Sequence, residues 1–138
     1  MKTPTYRDCV ECIDAIFARA KEDGGLPVCA AITDAHGDLA AFGRMDGAPM
    51  RSIPLSQDKA FTSIFMDRDT HEFRAMMEGF GFELTWFGNS RLTALPGGVR
   101  IKDDEGCVGA IGLSGRKAED DQELAELGVE FMRKRLGQ

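Results

Sequence analysis

The run Gly109-Ala-Ile-Gly112-Leu-Ser-Gly115 sets small residues where an apolar strand gives way to the last helix. Small residues let backbone N–H groups approach a ligand closely, and a helix N-terminus favours an anion there. Ser114 can add a hydroxyl, Gly115 close backbone approach, and Arg116 a positive charge. The run is neither the dinucleotide fingerprint Gly-x-Gly-x-x-Gly nor a P-loop, because no Gly-Lys-Ser/Thr follows. A tight strand-to-helix turn packed on the sheet would use the same glycines, so both readings stay open.

Two further segments carry charge to element ends. In Arg44-Met-Asp46-Gly47, Arg44 can hold a carboxylate by a two-pronged hydrogen bond, or pair with Asp46 to brace a turn. Lys59 sits among Ala60, Phe61 and Ile64, so its amine is either partly desolvated and reactive or carried out to water on its apolar stem. Asp120-Asp121 opens the last helix, where the helix dipole favours acidic residues.

Metal and redox chemistry find less support. Cys9-Val-Glu-Cys12 has C-x-x-C spacing, but no βαβ unit precedes it, no second pair exists, and Ile13 stands where haem attachment needs histidine. Cys29 and Cys107 lie in apolar strands, and all four cysteines read as core packing rather than a zinc site. His36 and His71 have no partner at ligand spacing, so no metal site is expected. No Gly-x-Ser-x-Gly elbow is present.

The elements that must position these residues follow from periodicity. Tyr6, Cys9, Val10, Ile13, Ile16, Phe17 and Ala20 recur at helical spacing, predicting a helix over 5–23 that starts at Thr3-Pro4 and stops at Gly24-Gly25. Val28 to Thr33 and Leu39 to Arg44 form a hairpin through Asp34-Ala-His-Gly37, with Gly37 at positive φ. A helix over 54–66 turns Ala60, Phe61, Ile64 and Phe65 inward, and another over 70–78 starts with Thr70 as its cap. Residues 79–98 mix glycines with Phe80, Phe82, Trp86 and Phe87, which can wall a pocket or lid the core. Val99 to Lys102 and Cys107 to Leu113 make a second hairpin. The last helix, over 118–136, buries Leu124, Ala125, Gly128, Phe131 and Met132. Paired strands predict a mainly antiparallel α+β fold.

Composition sets the outer limits. The 138 residues suit a single domain, 1–138, and 43% hydrophobic with 29% charged residues is ordinary for a globular chain. A net charge of −6 with scattered basic residues argues against nucleic acid. No apolar run reaches the roughly 18 residues of a membrane span, and Met1 to Asp8 lacks a signal-peptide layout. The expectation is a cytoplasmic protein with reduced thiols.

Residues 28–47, from Val28 through Ala-Ile-Thr-Asp-Ala-His-Gly to Arg44-Met-Asp-Gly47, resemble the signature hairpin of the GlcG / haem-binding HbpS-like family. Asp58-Lys59-Ala60, Leu95-Pro-Gly97-Gly98, Gly109 to Gly115 and Asp121 follow in the family's order, over residues 8 to 136. The resemblance implies a five-stranded antiparallel sheet flanked by helices, profilin-like or PAS-like, in homo-oligomers from dimer to octamer. Some members bind or degrade haem, one kind forms the C-terminal domain of PduO-type cobalamin adenosyltransferases, and others belong to catabolic operons. It thus implies a small-molecule pocket, with haem as a candidate cofactor. The family usually has a second glycine after Ser-Gly, where this chain has Arg116, a cation at the helix start that suits an anionic ligand.

Two functions follow from that resemblance. In the first, a binding module holds its ligand with Arg44, Asp46, Trp86, Gly97, Gly98, Ser114, Gly115 and Arg116. A haem would then need an axial ligand from His36, His71, Tyr6, a cysteine or a methionine. His36, on the hairpin turn, faces away from a pocket at the other strand ends. In the second, a metal-independent lyase, isomerase or hydrolase acts on a small organic acid, with Lys59 or Asp121 moving a proton.

Overall fold

The computed structural model describes residues 2–137. Helix α1 (Tyr6–Glu22) begins where the Thr5 hydroxyl accepts from the Asp8 amide and the Asp8 carboxylate accepts from the Thr5 amide, a reciprocal cap. The cap therefore lies at Thr5 rather than at Thr3-Pro4. Cys9, Cys12, Ile13, Ile16 and Ala20 form its buried face, whereas Tyr6 is left exposed.

Strands β1 (Cys29–Asp34) and β2 (Leu39–Arg44) follow as the expected hairpin, with Gly37 at φ 87°. Helices α2 (Ser52–Phe65) and α3 (Thr70–Phe80) lead to a 3-10 turn at Leu84–Phe87, then β3 (Gly98–Asp103), β4 (Gly106–Ser114) and α4 (Ala118–Arg135). The sheet is antiparallel in the order β2-β1-β4-β3. It has four strands among the described residues, not five. The stretch between α3 and β3, with left-handed Gly81 and Gly88 closing a helix and the 3-10 turn, offers no extended run to add a strand.

Asp69, not Thr70, caps α3, sharing a reciprocal pair of hydrogen bonds with Glu72. Thr70 is buried instead, and its hydroxyl accepts from the Gly98 amide at 2.9 Å. This ties α3 to the start of β3. Arg100 reinforces the junction by reaching Asp69, Asp67 and Glu72.

The two faces of the sheet differ in chemistry. On one, Val28, Ala30, Ile32, Val99, Ile101, Ile111 and Leu113 pack against α1 and α4 in the hydrophobic core. Each such large side chain, removed from water, contributes roughly 1.5–3 kcal/mol. On the other face, α2 lies almost on the backbone of β3 and β4. A Cβ on Gly112 would stand 1.9 Å from the Ser56 carbonyl oxygen, and one on Gly98 would stand 2.3 Å from that of Lys59. Only hydrogen at these positions lets the helix sit so close.

The helix face turned to that sheet is polar: Ser52, Ser56, Lys59 and Ser63 are buried with Ala60 and Thr62. Their spacing of four, three and four residues places the first group on one stripe. Phe65, expected inward, is 52% exposed and stacks on Phe61 along the outer side. Glycines leave no sockets for large rings beneath the helix, so the aromatic stripe turns outward.

Candidate functional site

The starting ends of α2 and α4 meet beside the end of β4. Between them opens a cleft of about 180 Å³ lined by Arg51, Ser52, Leu55, Lys59, Leu95, Ser114, Gly115, Arg116, Ala118 and Asp121. Neither helix has a side chain hydrogen-bonded at its N-cap. At α2 the Ser52 and Ile53 amides donate to the Pro49 and Met50 carbonyls and Pro54 has no amide, so that helix turns its dipole rather than a free N–H toward the cleft.

Lys59 forms the floor. Its side chain, 2% exposed, runs from the polar stripe of α2, and Nζ donates to the Leu113 carbonyl at 2.7 Å and to Asp121 Oδ2 at 3.3 Å. The carboxylate is equally buried, and its Oδ1 accepts from the Arg116 backbone amide at 3.1 Å. Gly97 backs onto the amine: a Cβ there would lie 2.9 Å from Nζ and 2.7 Å from the Leu113 oxygen. The Gly97 amide is held by Gln122 at 3.1 Å.

Burial pushes the Lys59 amine below its ordinary value, opposed by the charge and hydrogen bond of Asp121. Burial likewise pushes the Asp121 carboxyl up, against the Lys59 charge and the Arg116 amide. The two groups are thereby brought closer in proton affinity than a lysine and an aspartate in water. An amine and a carboxyl in direct contact under those conditions can exchange a proton with an adjacent molecule. Beside them, the Ser114 hydroxyl donates to the Ser52 hydroxyl at 3.2 Å.

The structure brings together Lys59, Asp121, Ser114, Gly115 and the backbone of Arg116, with Gly97 and Gly98 packed on Lys59. The Arg116 guanidinium, however, turns to α1, donating to Asp23 at 2.7 and 2.9 Å, to Leu26 at 2.7 Å and to Ala20 at 2.9 Å. It fastens the helix end rather than the cleft mouth. Arg44 stands across Cys29 from Ser114, at the same sheet end, but Nε and Nη2 both donate to the Ala48 carbonyl. It closes the turn through a backbone oxygen rather than through exposed Asp46. Trp86 lies outside the cleft, in an exposed stack with Phe82 and Phe80.

Arg51 and Ser52 line the cleft and escaped the sequence reading. The signal for Ser52 was the four-residue polar stripe on α2, whose members face Gly98 and Gly112. The thiols stay structural: Cys9, Cys12 and Cys29 are buried, and desolvation raises Cys9 to about 11 and Cys12 to about 12. The Cys12 thiol donates to the Gly128 carbonyl at 3.3 Å. Among the described residues no three His, Cys, Asp or Glu side chains are grouped to hold a metal ion, and no helix is long and apolar enough to cross a membrane.

Fold and site together define an α+β domain with a small polar cleft at two converging helix starts. The chain belongs to the HbpS-like family, described as haem degrading protein HbpS-like, whose model matches residues 5–130. It is 32% identical over 120 residues to an uncharacterized 15.0 kDa protein of the dhaT-dhaS intergenic region of Citrobacter freundii, covering 84% of this chain and 82% of that one. Protein GlcG of Escherichia coli K12 is 31% identical over 103 residues, 72% of this chain and 75% of its own. The corrinoid adenosyltransferase PduO of Salmonella typhimurium matches at 30% over 75% of this chain, which spans only 32% of that longer protein. Among solved structures, the complex of PduOC with haem superposes with a TM-score of 0.85 at 26% identity, over 94% of this chain and 95% of the other.

The Lys59 cleft does not fit a haem. Its lining includes no histidine, tyrosine, methionine or cysteine to serve as the usual axial donor. His36 and His71 are both exposed, on the β1–β2 turn and the first turn of α3, and neither borders the cleft.

Proposed function

We propose that the protein binds a small carboxylate-bearing molecule in the Lys59 cleft. The carrying observation is the cleft itself, where the positive dipole ends of α2 and α4 converge over the charge-matched Lys59–Asp121 pair with Arg51 at the rim. The volume lies below the roughly 300–1,000 Å³ of pockets for drug-sized ligands, which suits an acid of a few carbons. Ser52 and Ser114 supply hydroxyls, and exposed Arg51 stands at the rim as the cation that Arg116 does not provide.

Calorimetric titration with lactate, acetate and succinate tests this reading. Saturable binding by at least one acid, lost with lactamide in place of lactate, is the expected result. Failure of every acid would overturn it.

Haem is the competing ligand, favoured by the likeness to the PduOC–haem complex. It would have to sit outside the Lys59 cleft. A sharp, saturable Soret shift on adding haemin, unaffected by Lys59→Met, would support that second reading, and a broad non-saturating response would remove it. We further infer a homo-oligomer, in which the exposed stack of Phe80, Phe82 and Trp86 is covered. Light scattering of the protein and of its Trp86→Ser variant checks this: the variant should give the smaller species.

A further inference from the structure

We propose that Lys59 is a nucleophile that condenses with the carbonyl group of a small 2-oxo acid bound in this cleft. The inference rests on the cleft being a carboxylate site and adds the chemistry of the ligand's second functional group. A lysine serving only to attract an anion gains nothing from a carboxylate partner. Here Asp121 stands 3.3 Å from Nζ and already matches its charge. The pair makes better sense as an amine with its own proton carrier, because only the neutral amine has a lone pair to attack with. Desolvation favours that neutral form, as in lysines that form Schiff bases.

The surroundings select Lys59 over the serines as the reacting group. Ser114 donates its hydroxyl to Ser52, so its proton is directed neither to Lys59 nor to Asp121. Gly97 keeps the space beside Nζ open, since a Cβ there would fall within 2.9 Å of it. Arg51 and the dipole ends of the two helices favour the acid's carboxylate at the mouth, which leaves its neighbouring carbonyl to the floor of the cleft.

The step balances without a further reagent. Asp121 takes a proton from the Lys59 ammonium, and the neutral nitrogen attacks the carbonyl carbon, forming the C–N bond as the C=O π bond opens. The proton held by Asp121 passes to the new oxygen, and the nitrogen returns one to Asp121. The carbinolamine hydroxyl then takes that proton and leaves as water. A protonated imine remains beside the Asp121 carboxylate, which stabilises its charge.

Borohydride reduction of the full chain with glyoxylate or pyruvate tests this, followed by intact mass and peptide mapping. The expected result is one carboxymethyl or carboxyethyl group on Lys59, reduced at least tenfold by Gly97→Ala and absent from Lys59→Met. The wild-type peptide map decides the matter even where a variant folds poorly. Adducts spread over exposed Lys2, Lys21 and Lys134 with Lys59 spared would overturn the inference. Saturable lactate binding without a Lys59 adduct would overturn it too, while leaving the carboxylate reading intact. If neither oxo acids nor lactate bind, both readings fall.

Discussion

Replacing Lys59 with methionine keeps a stem of similar length in the space under Gly97 but removes the amine that meets Asp121 and the Leu113 carbonyl. Two buried acceptors then lose their donor at once. Leaving one member of a buried ion pair alone costs about 3–5 kcal/mol, far beyond the median of a surface pair. The loss must also depend on pH. Burial already raises the Asp121 carboxyl in the native protein, and losing Lys59 removes the charge that opposes this rise. A carboxyl raised on folding contributes stability that is present below its unfolded value, about 3.9, and lost as pH rises through its folded value. Lys59→Met should therefore be most destabilised near neutral pH and recover part of the loss at about pH 4. Asp121→Asn keeps an oxygen for the Arg116 amide, so the double variant should be more stable than the two single losses summed, by about 1–3 kcal/mol. Urea unfolding of wild type, both single variants and the double variant at the two pH values measures every quantity. Equal losses at both pH values, or strict additivity, would refute the account of Lys59 and Asp121 as one coupled buried pair.

Gly112→Ala should destabilise by about 1–3 kcal/mol or more, because the new methyl meets the α2 backbone at Ser56 and Ala60 rather than a side chain that can swing away. Unchanged urea midpoints would contradict so close a seat for the helix. Thr33→Val should raise stability by about 1 kcal/mol, since the buried Thr33 hydroxyl has no hydrogen-bond partner among the described residues and valine preserves the shape; a fall of that size would refute it. Cys9, Cys12 and Cys29 should resist a thiol reagent in the native protein and react on unfolding, counted by mass. Because folding raises Cys9 and Cys12 from 9.0 to about 11 and about 12, stability should fall as pH climbs through that window, and Cys12→Ala should make the decline shallower.

Strict periodicity made the helices and hairpins readable, since each follows from local pattern and turn residues. Lys59 within α2, and Asp121 and the Ser114–Gly115 turn at element ends, were also legible as reactive types. Their convergence was not, because it depends on α2 crossing Gly98 and Gly112, and nothing local states which strand a helix crosses. The same two glycines explain why the inner face of α2 is Ser52, Ser56, Lys59 and Ser63 rather than the phenylalanines. Arg116 shows the opposite limit. Its charge lies at the motif, but its guanidinium is taken by Asp23, 93 positions earlier in the chain. Arg44 similarly finds a nearby carbonyl before any ligand can reach it.

The central claim, a carboxylate site at the meeting of α2 and α4, is tested most directly by amide chemical-shift mapping during a lactate titration. The account predicts saturable shifts concentrated at Ser52, Gly97 and Ser114 through Ala118, following a single binding curve. Shifts absent there, or centred on the Phe80–Trp86 stack or the β1–β2 turn, would contradict it.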